Sequence, residues 1–292
     1  MQLSDNSRGI VAMVAAVGFF SWMDALMKLL AASYPPMQVA ALRGMASLPL
    51  VCCYVLWQRE TASLLWVRWP LHLMRGIMGV VMLSLFAYGL QTLTLTDAYA
   101  ISFIAPLLIT LLAIPFLNEK ATPTHWLCLC GGLVGVWIAM KPSGAAMFST
   151  GALAILGASV CYAASAVTGR VLSRTDTSSS LVFWMTLLMA AGAGALAAPD
   201  WQTLSPDHWP LIIGLGVTGF LGQLTITQAF RYGQAATVAP FEYSALMWGA
   251  GLDWMLWQTL PFGRTLLGAA IIIACGVYLI RAIHKSAPKL QT

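Results

Sequence analysis

Five ionisable residues lie well inside long apolar runs: Asp24, Arg43, Arg75, Glu242 and Asp253. A charged side chain at the centre of a bilayer costs roughly 2.5 to 3.5 kcal/mol, so each of them needs an oppositely charged partner or a water-filled cavity. We expect Asp24 with Arg43, and Asp253 near them, to form an outer gate of a transport pathway. Glu242 with Arg75 would form the inner gate. The alternative is that these pairs only hold helices together.

Glu242 carries the most specific chemistry of the five. It follows Pro240 and precedes Tyr243, and a proline inside a helix leaves a backbone carbonyl without its usual partner. The carboxylate is therefore expected either to bind an amine of a substrate or to carry a proton. The competing interpretation is a carboxylate paired with an arginine.

Aromatic rings within the same runs indicate the kind of cavity that these charges would border. Rings with a few hydrogen-bonding groups suit an amphipathic metabolite or a flat organic cation, although some of them would instead face lipid. The residues expected to bind substrate are Trp22, Tyr99, Phe103, Tyr162, Gln223, Glu242, Tyr243 and Trp248.

The sequence offers no pattern typical of an enzyme, a metal site or a cofactor site. The histidines all lie near the ends of apolar runs, at positions 72, 125, 208 and 284. No His-Glu-x-x-His or Ser/His/Asp arrangement accompanies them. We therefore expect no catalysis, no metal and no cofactor.

The composition explains where these residues are placed. Of 292 residues, 59% are hydrophobic and only 9% are charged, and the mean hydropathy is +0.79. Soluble domains carry roughly 25% charged residues. The predicted fold class is therefore all-α, a polytopic membrane protein.

A helix needs roughly 20 apolar residues to cross a bilayer, and the sequence has ten such runs. They cover 8–31, 36–58, 70–91, 97–117, 123–141, 150–172, 178–198, 208–230, 236–257 and 263–283. The break at 91–96 is the weakest, and without it the count would be nine. Ten runs leave no room for a soluble domain, so any function must lie in the membrane.

The distribution of positive charge predicts the orientation. With a cytoplasmic N-terminus, eleven of the 15 lysines and arginines fall in or near cytoplasmic loops. Both termini are then cytoplasmic. The net charge of +5 is thus a topology signal, and no basic stripe suggests nucleic acid.

The two halves of the chain resemble each other at an offset of about 140 residues. Residues 9–28 align with 151–170 without a gap, and 135–138 align with 276–279. The predicted units are 1–145 and 146–292. Because each holds five helices, the second must enter the bilayer from the opposite face, which is the inverted repeat of many secondary transporters. The eighth run has four glycines within nine residues, more than close packing usually needs.

Short motifs in both halves resemble the EamA units of the drug/metabolite transporter superfamily. In the first half these are Arg43-Gly44, Arg75-Gly76, Phe103-x-x-Pro106, Glu119 and Gly135-Val136; in the second they are Val238-Ala-Pro240-Phe-x-Tyr243, Pro261, Gly268 and Gly276-Val-Tyr. The resemblance covers nearly the whole chain. It implies ten helices in two inverted five-helix units, a central cavity and no use of ATP.

Within the superfamily the pattern is closest to the YddG-like amino-acid exporters, and almost as close to S-adenosylmethionine uptake carriers. One departure matters, because the second unit often has an acidic residue shortly before the proline of its last loop. This chain has Gln258 there, and Asp253 is the candidate substitute.

These observations together predict a secondary transporter of the bacterial inner membrane that works by alternating access. The expected activity is export of aromatic or large apolar amino acids and related amphipathic metabolites. The expected partners are a small-molecule substrate and the lipid bilayer, with protons as a candidate coupling ion, and we expect a monomer. Two alternatives stay open: uptake of a metabolite such as S-adenosylmethionine, and a non-transporting membrane scaffold. The buried charges and the inverted halves are evidence against the scaffold, because a scaffold needs neither.

Overall fold

Twelve α-helices and no strands form the described part of the chain, which in this computed structural model comprises residues 5–93, 95–141, 149–258 and 263–286. The helices are α1 (Asp5–Leu30), α2 (Pro36–Trp57), α3 (Trp69–Gly89), α4 (Leu95–Ser102), α5 (Ala105–Leu117), α6 (Pro123–Met140), α7 (Thr150–Leu172), α8 (Ser178–Ala197), α9 (Trp209–Tyr232), α10 (Ala235–Val238), α11 (Ala245–Trp257) and α12 (Gly263–Ser286). The prediction of an all-α fold is confirmed.

Nine helical stretches of the described residues are long and apolar enough to cross a membrane. They correspond to nine of the ten predicted runs, with ends that agree within a few residues. The remaining run, 236–257, which is the ninth along the chain, is interrupted: it consists of α10, a 3-10 segment (Ala239–Ser244) and α11. The polytopic membrane fold is therefore confirmed, and the ninth crossing is a broken helix where a continuous one was expected.

A second break divides the fourth crossing between α4 and α5. Proline explains both breaks, since its ring removes a backbone donor and clashes with the preceding turn. Pro106 is the second residue of α5, and Pro240 is the second residue of the 3-10 segment. The two broken crossings occupy the same place in each half. Paired discontinuous helices of this kind point to the substrate site of a transporter.

Helix pairing follows a pattern that an exchange of the two halves leaves unchanged. In this exchange α1 corresponds to α7 and α3 to α9, so the packed pair of α1 and α9 corresponds to the pair of α7 and α3, which also pack together. The pairs α2 with α8 and α6 with α12 each consist of two corresponding helices. This pairing supports the proposal of two related units. The predicted division at residue 145 falls within 142–148, outside the described residues.

Close helix contacts use the glycines of α9, which is one continuous helix. A Cβ on Gly216 would lie 2.5 Å from the carbonyl oxygen of Ala46, and one on Gly219 would lie 2.7 Å from the hydroxyl of Ser47. Gly222 faces the ring of Phe20 in the same way. Packing therefore accounts for three of the four glycines, and the expectation that they exceed what packing needs is wrong.

Candidate functional site

Two adjoining chambers lie inside the bundle, with volumes of about 220 Å³ and 370 Å³. Arg75 lines only the smaller one and Glu242 only the larger, so we call them the Arg75 chamber and the Glu242 chamber. Their common wall consists of Phe20, Asp24, Arg43, Met82, Tyr162 and Ile226. The two chambers are thus parts of one cavity bordered by both halves of the chain.

Asp24 and Arg43, the predicted partners of an outer gate, both lie in this common wall. Asp24 is an exposed side chain although it lies in the middle of the bundle, because it faces the cavity. The Arg43 guanidinium lies 5.6 Å from the centre of the Phe20 ring. The ion pairs of the described residues do not include Asp24 with Arg43, so both charges are available to a molecule in the cavity.

Glu242 and Arg75 do not pair, and that prediction is wrong. Glu242 accepts a hydrogen bond from the Tyr162 hydroxyl at 3.2 Å. Arg75 lies in the other chamber and donates from Nη1 to the carbonyl oxygen of Leu181 at 3.4 Å. The physical reason is that Tyr162 lines both chambers and binds the carboxylate from α7, so the acid already has a partner.

Five of the eight predicted substrate-binding residues line the cavity: Tyr99, Phe103, Tyr162, Gln223 and Glu242. Trp22 and Trp248 do not, and they are 36% and 39% exposed. Trp22 is two residues from Asp24, which is about 200° around an α-helix, so the two side chains point in opposite directions. Trp248 packs its ring against Gly18.

Two further predicted residues also lie outside the lining. Tyr243 is buried with 1% exposure, packs over Gly132, and has its ring centre 6.1 Å from that of Phe103. It supports the cavity wall from behind. Asp253 is exposed on α11 and lines neither chamber, so the structure does not bring it to Asp24 and Arg43.

Several lining residues were not predicted. They include Phe20, Met23, Met82, Met185 and Met189. Helical spacing could have found two of them, because Phe20 precedes Asp24 by four residues and Met82 follows Arg75 by seven. The other methionines carry no such signal, since an apolar residue in an apolar helix looks the same whether it faces lipid or a cavity.

The end of the bundle where α1 begins, the N-terminal end, is tied together by buried polar contacts that the sequence did not reveal. Glu119 accepts from Arg170 Nε at 3.4 Å and from the backbone nitrogen of Ala236 at 3.2 Å. Arg170 Nη1 also donates to the carbonyl oxygens of Phe230 and Arg231, at 2.6 and 2.7 Å. One ion pair therefore connects the ends of α5, α7 and α9 with the start of α10.

A second tie at the N-terminal end joins α3 to the turn between α7 and α8. His72 Nε2 and Asp176 Oδ2 are 2.8 Å apart, with side chains only 1% and 4% exposed. Thr175 donates to the same carboxylate at 2.7 Å. The contact fixes the position of α3, which carries Arg75 into the cavity.

The opposite end of the bundle has a related but neutral tie between the α1–α2 turn and the segment before α9. Tyr34 Oη lies 2.8 Å from His208 Nδ1 and accepts from the backbone nitrogen of Ser205 at 2.9 Å. Gln38 exchanges two hydrogen bonds with the backbone of Gln202, at 2.7 and 2.9 Å. Exchange of the halves maps this tie onto the His72 tie, but the acceptor at the N-terminal end is the carboxylate of Asp176 and the partner at the opposite end is the Tyr34 hydroxyl.

With this geometry in view, the comparison with known families is decisive. The EamA-like transporter family matches residues 7–141 and 149–282. The chain belongs to the EamA-like transporter family. One matched segment lies in each of the predicted units 1–145 and 146–292.

Several relatives of this EamA-like protein are named for what they carry. The chain is 28% identical to the pseudopaline exporter CntI of Pseudomonas aeruginosa, over 94% of this chain and 96% of the relative. It is 30% identical to the riboflavin transporter of Vibrio cholerae, over 69% and 68%. It is 28% identical to the S-adenosylmethionine uptake transporter of Rickettsia bellii, over 75% of each.

A solved structure has the same fold as this EamA-like protein. It superimposes with a TM-score of 0.84 and covers 96% of this chain and 100% of its own, at 18% sequence identity. The family and the relatives are transporters, so the prediction of a small-molecule transporter and not an enzyme is confirmed. The substrate and the roles of individual residues stay proposals.

Proposed function

We propose that this protein exports zwitterionic, amino-acid-type metabolites with an aromatic or large apolar part across a bacterial plasma membrane. The observation that carries the proposal is the composition of the single cavity. It has two carboxylates, Asp24 and Glu242, and two guanidinium groups, Arg43 and Arg75, among aromatic rings and methionines.

A zwitterion matches this arrangement because it brings one charge of each sign. Neither Asp24 nor Glu242 forms an ion pair with a cation among the described residues, so the charges of the cavity are not neutralised by direct contact. Buried charges are retained in a membrane where they serve a substrate or ion path. An inorganic ion would need a denser set of oxygen ligands.

The apolar part of the substrate would lie in the Glu242 chamber, against Phe86, Tyr99 and Phe103. Aromatic walls with few polar groups favour a ring or a large aliphatic side chain. The Arg75 chamber has methionines instead, whose flexible and polarizable side chains adapt to different shapes. This combination supports a carrier that accepts several related metabolites.

Alternating access would open the cavity first to one side and then to the other. The broken crossings beside Phe103 and Glu242 supply the discontinuities at which helix halves can move, and the ties at the two ends are contacts that can break in turn. The charge bias of the loops puts the N-terminal end in the cytoplasm. One chain encloses the cavity, so we propose the monomer as the functional unit.

Export is the direction we propose, because a relative that aligns along nearly the whole chain, CntI of Pseudomonas aeruginosa, is named as an exporter. Uptake of S-adenosylmethionine is the second candidate. It is favoured by relatives from several Rickettsia species and by the two carboxylates of the cavity, which suit a cationic metabolite.

Counterflow into proteoliposomes tests the proposal. The panel consists of labelled phenylalanine, leucine, glutamate and S-adenosylmethionine, with and without an imposed pH gradient. We expect flux of phenylalanine and leucine above glutamate. Flux of S-adenosylmethionine alone would replace the proposal by the second candidate, and absence of flux for every probe would contradict both.

Glu242→Gln tests the two roles that the sequence suggests for this acid, binding the amine of a substrate and carrying a proton. Asp253→Asn is its matched control. Both replace a carboxylate by an amide in the ninth crossing, but only Glu242 lines the cavity. We expect the first to abolish gradient-stimulated flux and the second to leave it within about twofold. Equal effects of the two variants would contradict a specific role for Glu242.

A further inference from the structure

Arg75 has a buried donor that no group among the described residues satisfies. Its side chain lies on α3, the residue is 7% exposed, and Nε has no hydrogen-bond partner. A buried donor without an acceptor is unfavourable, and more so when it carries charge. A guanidinium kept in this condition at a cavity wall indicates that the acceptor comes from outside the protein.

Two acids that could serve as partners of Arg75 are bonded to other side chains, and a third, Asp24, lines the same chamber without an ion pair to it. Glu242 is bonded to Tyr162, and Asp176 is bonded to His72. The ion pairs of the described residues do not include Arg75. Asp24 and Arg43 are the other charged residues in the lining of the Arg75 chamber, and the rest of the lining is uncharged. No acid of the described residues contacts the Arg75 guanidinium as an ion pair, so its charge is open to a molecule in the chamber.

A glycine on the neighbouring helix sets the position of the guanidinium. A Cβ on Gly169 of α7 would lie 3.2 Å from Arg75 Cζ and 3.3 Å from Nε. The planar group thus rests directly against the α7 backbone, where any larger side chain would displace it. In this position the side chain lines the Arg75 chamber, with Nη1 held by the carbonyl oxygen of Leu181 at 3.4 Å.

We propose that Arg75 binds the carboxylate of the transported molecule, with Gly169 as the positioning residue. The planar fork of a guanidinium matches a carboxylate and can bind it with two hydrogen bonds. The amine of the substrate is then directed to Glu242 and Asp24, and its apolar part to the aromatic wall. This inference rests on the proposed function and deepens it, because it makes a free carboxylate the feature that the carrier selects.

Competition between matched probes tests the subsite. Phenylalanine and phenylalaninamide share the ring and the amine, and only the first has a carboxylate. We expect wild-type proteoliposomes to prefer phenylalanine, and Arg75→Gln to reduce that preference roughly tenfold to a hundredfold, the range for lost hydrogen bonds to a charged group. Arg75→Lys, which keeps the charge but loses the fork, should fall between them.

A second pair of variants leaves Arg75 in place, so the test does not depend on folding without the arginine. Gly169→Ala should lower the preference for phenylalanine because it moves the guanidinium. Gly157→Ala is the matched control on the same helix, since its Cβ would meet only Leu85 Cδ1, at 3.3 Å. It should retain the wild-type preference.

The outcomes separate this inference from the proposed function. An Arg75→Gln protein that transports and still prefers phenylalanine as strongly as the wild type overturns the subsite and leaves the proposed function standing. If the wild type moves only S-adenosylmethionine, the proposed function fails, and the same comparison is made between that molecule and its carboxyl methyl ester. Equal transport of acid and ester would then overturn the subsite as well.

Discussion

Replacing Glu119 by alanine should weaken the N-terminal end of the bundle. The carboxylate is only 5% exposed and has two partners, Arg170 Nε at 3.4 Å and the backbone nitrogen of Ala236 at 3.2 Å. Ala236 is itself 1% exposed, so the variant leaves a buried N–H without an acceptor. It also leaves Arg170 without its counter-ion.

The size of the effect follows from these two losses. Removing one partner of a buried ion pair costs about 3 to 5 kcal/mol. Arg170 keeps its bonds to the carbonyl oxygens of Phe230 and Arg231, so we expect Glu119→Ala to fall near the lower limit, about 3 kcal/mol. Glu119→Gln retains an acceptor for Ala236 and should lose only about 1 to 2 kcal/mol.

The free energy of unfolding in mixed micelles, followed by tryptophan fluorescence during titration with SDS, measures the effect. Asp5→Asn is the control, because it removes an ion pair with Arg8 whose side chains are 79% and 57% exposed at a separation of 4.0 Å. That change should stay below about 0.5 kcal/mol. If Glu119→Ala were no more destabilising than Asp5→Asn, the reasoning about the buried tie would be refuted.

Three other perturbations have expected outcomes. Gly216→Ala would put a Cβ 2.5 Å from a carbonyl oxygen of α2 and should lower the free energy of unfolding by about 1 to 3 kcal/mol in the same titration. Gly249→Ala is the control, because a Cβ there would meet nothing within 4 Å, and it should be neutral or slightly stabilising. Equal unfolding midpoints of the two variants would contradict the expected clash. His72→Gln should break the 2.8 Å contact with Asp176 and speed hydrogen exchange in the turn between α7 and α8, and unchanged exchange there would show that the tie is not needed. Gln38→Leu removes both hydrogen bonds to the backbone of Gln202, an exposed residue at the other end, and should cost about 1 to 3 kcal/mol, while a loss below about 0.5 kcal/mol would mean that water replaces the amide.

Hydropathy and charge placement predicted the class of this protein well, because both depend on local sequence. Whether a segment enters a bilayer is decided by its own transfer free energy, and nine of the ten runs appear as helical stretches long enough to span, although one of them is divided between α4 and α5. The prolines at 106 and 240 were visible in the sequence. The interrupted form of the ninth crossing was not expected, since a proline can also be accommodated by a kink.

Only some of the residues that line the cavity were predicted from the sequence. Periodicity shows which residues share a face of one helix, but in an apolar helix it does not show whether that face meets lipid, another helix or a cavity. Trp22 and Phe20 illustrate the limit: they are two residues apart on α1, and only Phe20 lines the cavity. The rotation of α1 about its own axis is set by its contacts with α9, a helix that lies far away in the sequence.

The sequence by itself determined an all-helical, polytopic membrane transporter with charges inside the membrane, and it predicted ten crossings in two related halves. Only the tertiary structure decided how those charges are used: Glu242 binds Tyr162, Arg75 faces a separate chamber, and Glu119 closes one end with Arg170. The physical reason is that solvation is a property of each segment, whereas partner choice depends on distance and orientation between segments. An ion pair that the sequence allows does not form when the fold places a different side chain within hydrogen-bonding distance of the acid.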